Sequence, residues 1–172
     1  EDDEAVVWAC ADVLREEYKR ITDAGLTVQI DAPDIAEGWD QMNPEPSVED
    51  YRAFSRVRID ALNHALEGID PSLVRFHVCW GSWHGPHTTD IAFKDIVDLA
   101  LLVNANGLTF EAANARHAHE WTIWRDTPLP EGKYLIPGVV SHSTNVVEHP
   151  ELVAQRIRQF ADIVGDERVV AS

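Results

Sequence analysis

The chain has 172 residues, with 14 Lys and Arg against 30 Asp and Glu and a formal net charge of −16. This length supports one domain with a buried core, and the charge argues against nucleic-acid or anionic-membrane partners, which need basic patches. The two cysteines, Cys10 and Cys79, make no disulfide framework, and no apolar run approaches a membrane span, so the expectation is a cytoplasmic enzyme.

Val7, Trp8, Ala11, Leu14, Tyr18 and Ile21 recur at helical spacing, which predicts a helix from Asp3 to Ala24 closed by Gly25. Cys10 lies beside that stripe and reads as packing. Leu26 to Asp31 predicts a strand ending in the turn residues Ala32-Pro33-Asp34. Ala36 to Pro46 reads as a loop. Ser47 is placed to cap a helix from Val48 to Glu67, and a strand follows from Leu73 to Cys79. A third helix is expected over Phe93 to Val103, then a short strand from Leu108 to Glu111 and a helix from Ala112 to Arg125. His117 and His119, two apart on that helix, would not face a common metal. Tyr134 to Val140 predicts the next strand. His149-Pro150 opens a helix from Glu151 to Val164, and Arg168 to Ser172 predicts a fifth strand.

Alternating helices and strands imply a parallel sheet with helices outside it. The chemically interesting residues all fall at strand carboxyl ends, which is the catalytic face of a (β/α)8 barrel. A doubly wound open sheet is the alternative, but no glycine-rich phosphate turn follows any strand. Five strands cannot close an eight-stranded barrel, so residues 1–172 read as the later part of one. Its bare edges are expected to be covered by remaining barrel segments or a partner chain.

His77 and Cys79 stand two apart on a predicted strand, so their side chains point the same way. Imidazole with thiolate is a ligand pair for a soft or borderline metal such as zinc; the other reading is a core cysteine beside a satisfied histidine. Asp31 ends its strand as either a functional acid or a turn former.

Four segments, "VQIDAPD", "HVCWGSWHGPH", "LTFEAAN" and "IPGVVSHSTNVVEHPE", stand in this order along the chain. In order and spacing they resemble the cobalamin-independent methionine synthase superfamily, including its short single-barrel bacterial members and the epoxyalkane–coenzyme M transferases. The resemblance implies a (β/α)8 barrel with zinc at its carboxyl end, held by His77, Cys79, Glu111 and a cysteine that would follow Ser172. It implies that Asp31 contacts the amino group of the acceptor; Ala32 stands where the family's "IDEP" motif has a second acid. It places His142 near the reacting group as a proton donor, although the residues flanking His142 differ from the family's. His84 and His87, flanking Gly85-Pro86, would line the substrate pocket. The implied partners are a small-molecule thiol and an alkyl donor, a methyl-folate or an epoxide, and the implied activity is methyl transfer to a zinc-activated thiol. A metal-dependent hydrolase and a non-catalytic fragment or metal-free barrel are the other readings.

Overall fold

A computed structural model describes residues 3–82 and 88–172. Four five-residue strands, β1 (Val28–Ala32), β2 (Val74–Val78), β3 (Gly107–Glu111) and β4 (Tyr134–Gly138), form one parallel sheet in the order β1-β2-β3-β4. The helices are α1 (Asp3–Asp23), α2 (Gly38–Gln41), α3 (Val48–Ala65), α4 (Val97–Ala100) and α5 (Pro150–Val164). Each strand pairs with the next in sequence. Parallel crossovers are right-handed as a rule, so connections that always advance in one direction put the connecting helices on one face. A doubly wound sheet would reverse its strand order, and this one does not.

The two faces differ accordingly. Val28, Ile30 and Ala32 of β1 and Val74, Phe76 and Val78 of β2 are buried, while Gln29 and Asp31 between them are exposed and Arg75 and His77 half-buried. The apolar face packs with Leu108, Phe110 and Leu135 of the neighbouring strands against Tyr51 and Ile59 of α3, Val97 of α4, and Phe160 of α5. The aromatic rings of Phe93, Phe110, Trp124 and Phe160 meet at centroid distances of 4.9 to 6.0 Å. Ala11 on α1 meets Ala61 and Ala65 on α3, three small side chains that let the helices close on each other. The other face carries the polar groups, running from Gln29, Arg75 and Tyr134 at the amino ends of the strands to Asp31, His77 and Glu111 at the carboxyl ends.

Several predicted elements differ. Arg168 to Ser172 forms no full strand but runs beside β4 through an isolated parallel bridge, Val169 to Leu135, with the Val170 N–H donating to the Leu135 carbonyl at 2.8 Å and the Val139 N–H to the Ser172 carbonyl at 3.1 Å. The helix expected over Phe93 to Val103 is broken into a 3-10 turn, Phe93–Asp95, and the four-residue α4, because fully buried Ile96 sits between them at φ −131°. Ala112 to Arg125 is not one helix. The Asn114 side-chain oxygen accepts from the Arg116 and His117 N–H groups, a local turn that competes with helix formation, and only the 3-10 stretch Glu120–Arg125 follows. The loop Ala36 to Pro46 contains α2. Ser47 caps α3 as predicted, accepting from the Asp50 N–H at 3.1 Å.

The segment after β1 is held from below by Tyr51 of α3. Its buried hydroxyl donates to the Asp34 carbonyl at 2.9 Å, and its ring meets Trp39 edge-on at 5.3 Å. Tyr51→Phe removes that part-buried bond, and urea unfolding should show a loss of about 1 kcal/mol. An unchanged midpoint would show that the bond holds nothing.

Candidate metal centre

Parallel pairing sets the site. Asp31 on β1 is opposite His77 on β2, and His77 is opposite Thr109 on β3. One pleat further along, Cys79 leaves β2 on the face that carries His77, and Glu111 ends β3 on the same side as Thr109. One ligand atom each of Asp31, His77 and Cys79 lies within 4.8 Å of the other two; among the described residues this group of three has metal-binding geometry. Ligand atoms around a tetrahedral zinc are separated by about 3.4–3.8 Å, so small side-chain rotations would bring the three onto one ion.

The surroundings fit a cation. His77 Nδ1 lies 3.3 Å from Thr109 Oγ1, a contact that orients the ring and leaves its other nitrogen available. Cys79 is largely buried, and its sulfur accepts the Gly81 N–H at 3.3 Å. Burial pushes the Cys79 thiol above its ordinary value; the Gly81 N–H pulls it back, and Asp31, Glu111 and Glu37 each push it further up. Carboxylates around a thiol disfavour its ionisation. A bound divalent cation inverts that balance and holds the sulfur as thiolate. The donor set, imidazole, sulfur and carboxylate, is one that zinc accepts.

Glu111 lies outside the group of three, and the Asn114 amide donates to its carboxylate. It lines a cavity of about 370 Å³ together with His77, Cys79, Ser82, Thr109 and His142. His142 is exposed at the rim of this cavity. Its strand end is fixed: the Ser141 N–H donates to Glu148 at 2.8 Å, and Arg156 reaches Glu148 at 2.6 Å and the Val139 carbonyl at 2.7 Å. His84 and His87 lie outside the described residues. The structure thus brings Asp31, which the resemblance cast as a substrate contact, into ligand range of His77 and Cys79, and sets Glu111 beside them.

Two features of the site escaped the sequence reading. Glu37 approaches Cys79 from the turn before α2, and no spacing rule links positions 37 and 79. His117 is a buried brace: Nδ1 meets Glu120 Oε2 at 2.7 Å, Nε2 lies 3.4 Å from Asp90, and its ring lies 4.2 Å from that of Trp80. Glu120 also accepts the Phe93 N–H at 2.7 Å, and the Trp80 indole donates to the Ile91 carbonyl at 3.0 Å. These bonds pin both ends of the segment between Trp80 and Phe93, so Cys79 enters the site from a fixed backbone.

The molecule is therefore a singly wound parallel α/β sheet with a His–Cys–carboxylate cluster at its carboxyl edge. The chain belongs to the cobalamin-independent synthase catalytic-domain family, whose model matches residues 1–172. It is 28% identical over 142 residues to a 2-hydroxypropyl-CoM lyase of Xanthobacter autotrophicus (strain ATCC BAA-1158 / Py2), an alignment covering 67% of this chain and 38% of the lyase. It also superposes, with a TM-score of 0.76 and 19% identity, on a B12-independent methionine synthase from Shewanella sp. W3-18-1 solved with selenomethionine. That match covers 99% of this chain and 48% of the synthase, and it shows the fold alone. The chain thus spans less than half the length of each of these relatives. No helix among the described residues is long and apolar enough to cross a membrane.

With Cys10 replaced by Ser, alkylation of the remaining thiol by iodoacetamide reads Cys79 alone. In metal-free protein its rate should rise through an apparent pKa above the usual value of about 8.5. Asp31→Asn should move that value down, because a carboxylate that disfavours the thiolate is gone. A shift upward, or none, would mean that Asp31 does not act on the sulfur.

Proposed function

We propose that this chain carries part of a zinc site that activates a thiol acceptor for methyl transfer, in the manner of a 5-methyltetrahydropteroyltriglutamate–homocysteine S-methyltransferase. The observation that carries the reading is the convergence of Asp31, His77 and Cys79 at adjacent strand ends, within 4.8 Å of one another. Membership of the cobalamin-independent synthase family supports it.

His77 and Cys79 would hold the ion together with a carboxylate. Asp31 is the one within reach, and Glu111 is the one the family resemblance implies. Zinc, when bound, makes a coordinated acceptor thiol a thiolate at neutral pH, a far better nucleophile than the thiol. The carboxylate not used for the metal has lone pairs left to accept hydrogen bonds from an amino group on the acceptor. His142 stands at the cavity rim with its ring exposed, able to reach a departing group and give it a proton. His84 and His87 stay in the proposal as pocket residues. The acceptor is a small thiol and the donor a methylated carrier such as a methyl-folate. On this reading further barrel segments, or a partner chain, wall the open side of the polar face.

The lyase relationship favours a second reading at the same site: alkylation of a thiol by an epoxide-type carbon, as in an epoxyalkane–coenzyme M transferase. The His–Cys–carboxylate set serves both, since each needs a thiolate. Turnover of a methyl-folate against an epoxide, with a common thiol, separates the two.

Zinc titration against a chromophoric chelator tests the metal assignment. His77→Ala and Cys79→Ser should each weaken zinc binding by about tenfold or more. Of Asp31→Asn and Glu111→Gln, the variant with the larger loss identifies the ligating carboxylate. Affinity should fall as pH is lowered, because ligand protonation competes with the metal. Zinc affinity indifferent to His77 and Cys79 would refute the site.

A further inference from the structure

We infer that the Glu37 side chain, by its packing and not its charge, holds the Gly81 N–H on the Cys79 sulfur and so tempers that sulfur, with the result that alkylation falls on the acceptor thiol and spares the residue that holds the metal. The inference rests on the thiol-alkylation reading above for its purpose, and on geometry for its mechanism. Any site that sets an electrophilic alkyl carbon beside two thiolates faces a side reaction. Cys79 Sγ would form the new S–C bond, the bond from that carbon to its leaving group would break, and the leaving group would depart with the electron pair. The product is a thioether, which has lost the charge that makes a thiolate a strong zinc ligand. A hydrogen bond donated to the sulfur draws on the lone pairs that would attack, and so lowers its nucleophilicity.

The structure supplies that bond and a means of holding it. The Gly81 N–H donates to Cys79 Sγ at 3.3 Å. Gly81 reaches this pose at φ +87°, a conformation that side-chain-bearing residues rarely adopt. A Cβ placed on Gly81 would meet Glu37 Cδ at 3.0 Å and Oε1 at 3.1 Å. The Glu37 carboxylate thus fills the space beside Gly81 that a side chain would take, and backs the peptide that faces the sulfur. Glu37 also grips the same cysteine from the other end, its N–H donating to the Cys79 carbonyl at 3.1 Å. One residue from the turn before α2 therefore contacts both ends of the Cys79-Trp80-Gly81 segment.

The test uses the chain with Cys10→Ser, metal-free, at a pH where the alkylation rate of Cys79 has reached its plateau. There the rate reports intrinsic nucleophilicity, and the ionised fraction no longer matters. Glu37→Gln keeps the packing against Gly81 and removes the charge; Glu37→Ala removes both. The Ala variant should react about twofold faster than the Gln variant, the size expected when one modest hydrogen bond to a thiolate is lost. The factor should be the same for iodoacetamide and for a bulky aryl iodoacetamide. Equal rates in the two variants would overturn the inference. So would an acceleration that changes with the size of the reagent, which marks altered access to the sulfur. Because no metal is present, failure of zinc binding would count against the proposed function and leave this result standing.

Discussion

Asp31 faces His77 across the β1–β2 ladder, and that pairing decides which side chains can meet at the carboxyl edge. In a pleated parallel sheet a one-residue slip would send His77 and Cys79 to the helix-covered face and bring Val78 out in their place. The slip is prevented by the apolar residues on the opposite face. Val28, Ile30 and Ala32 alternate with Gln29 and Asp31, and Val74, Phe76 and Val78 alternate with Arg75 and His77. Phe76 is 1% exposed, and turning it outward would forfeit most of its burial. The packing that makes the fold is thus the packing that aims the ligands.

A second constraint is charge. Asp31, Glu37 and Glu111 all act on one buried thiol, and each opposes its ionisation. Three carboxylates about a sulfur gain little from one another. They become mutually compatible when a divalent cation sits among them, and a cationic group on a substrate would lessen the strain further. The cysteine's backbone is held in place amid this crowding, through Glu37 on one side and the Trp80–His117–Glu120 brace on the other.

Much of this was legible in the sequence, because the strands are short apolar runs, alternating with polar residues in β1 and β2, and the first three carry an acid or the His-x-Cys pair at their ends. Four of the five predicted strands and the long helices α1, α3 and α5 stand where the periodicity places them, within a few residues. The failures have local causes. Asn114 turns the chain with its own side chain, and buried Ile96 interrupts what looked like one helix. Asp31 was recognisable as an acid at a strand end, but its partner was not: the β1–β2 register comes from tertiary packing and has no signature in either strand. Glu37 gave no signal, since its importance depends on the empty side of Gly81, more than forty positions away.

In the proposed function, Cys79 and His77 hold a single ion at the ends of β1 and β2. X-ray absorption at the zinc edge, on protein loaded with one equivalent, reads this directly. The expected spectrum shows a sulfur scatterer at about 2.3 Å together with nitrogen or oxygen ligands near 2.0–2.2 Å, and loss of that sulfur in Cys79→Ser. A first shell of nitrogen and oxygen alone, unchanged by Cys79→Ser, would contradict it.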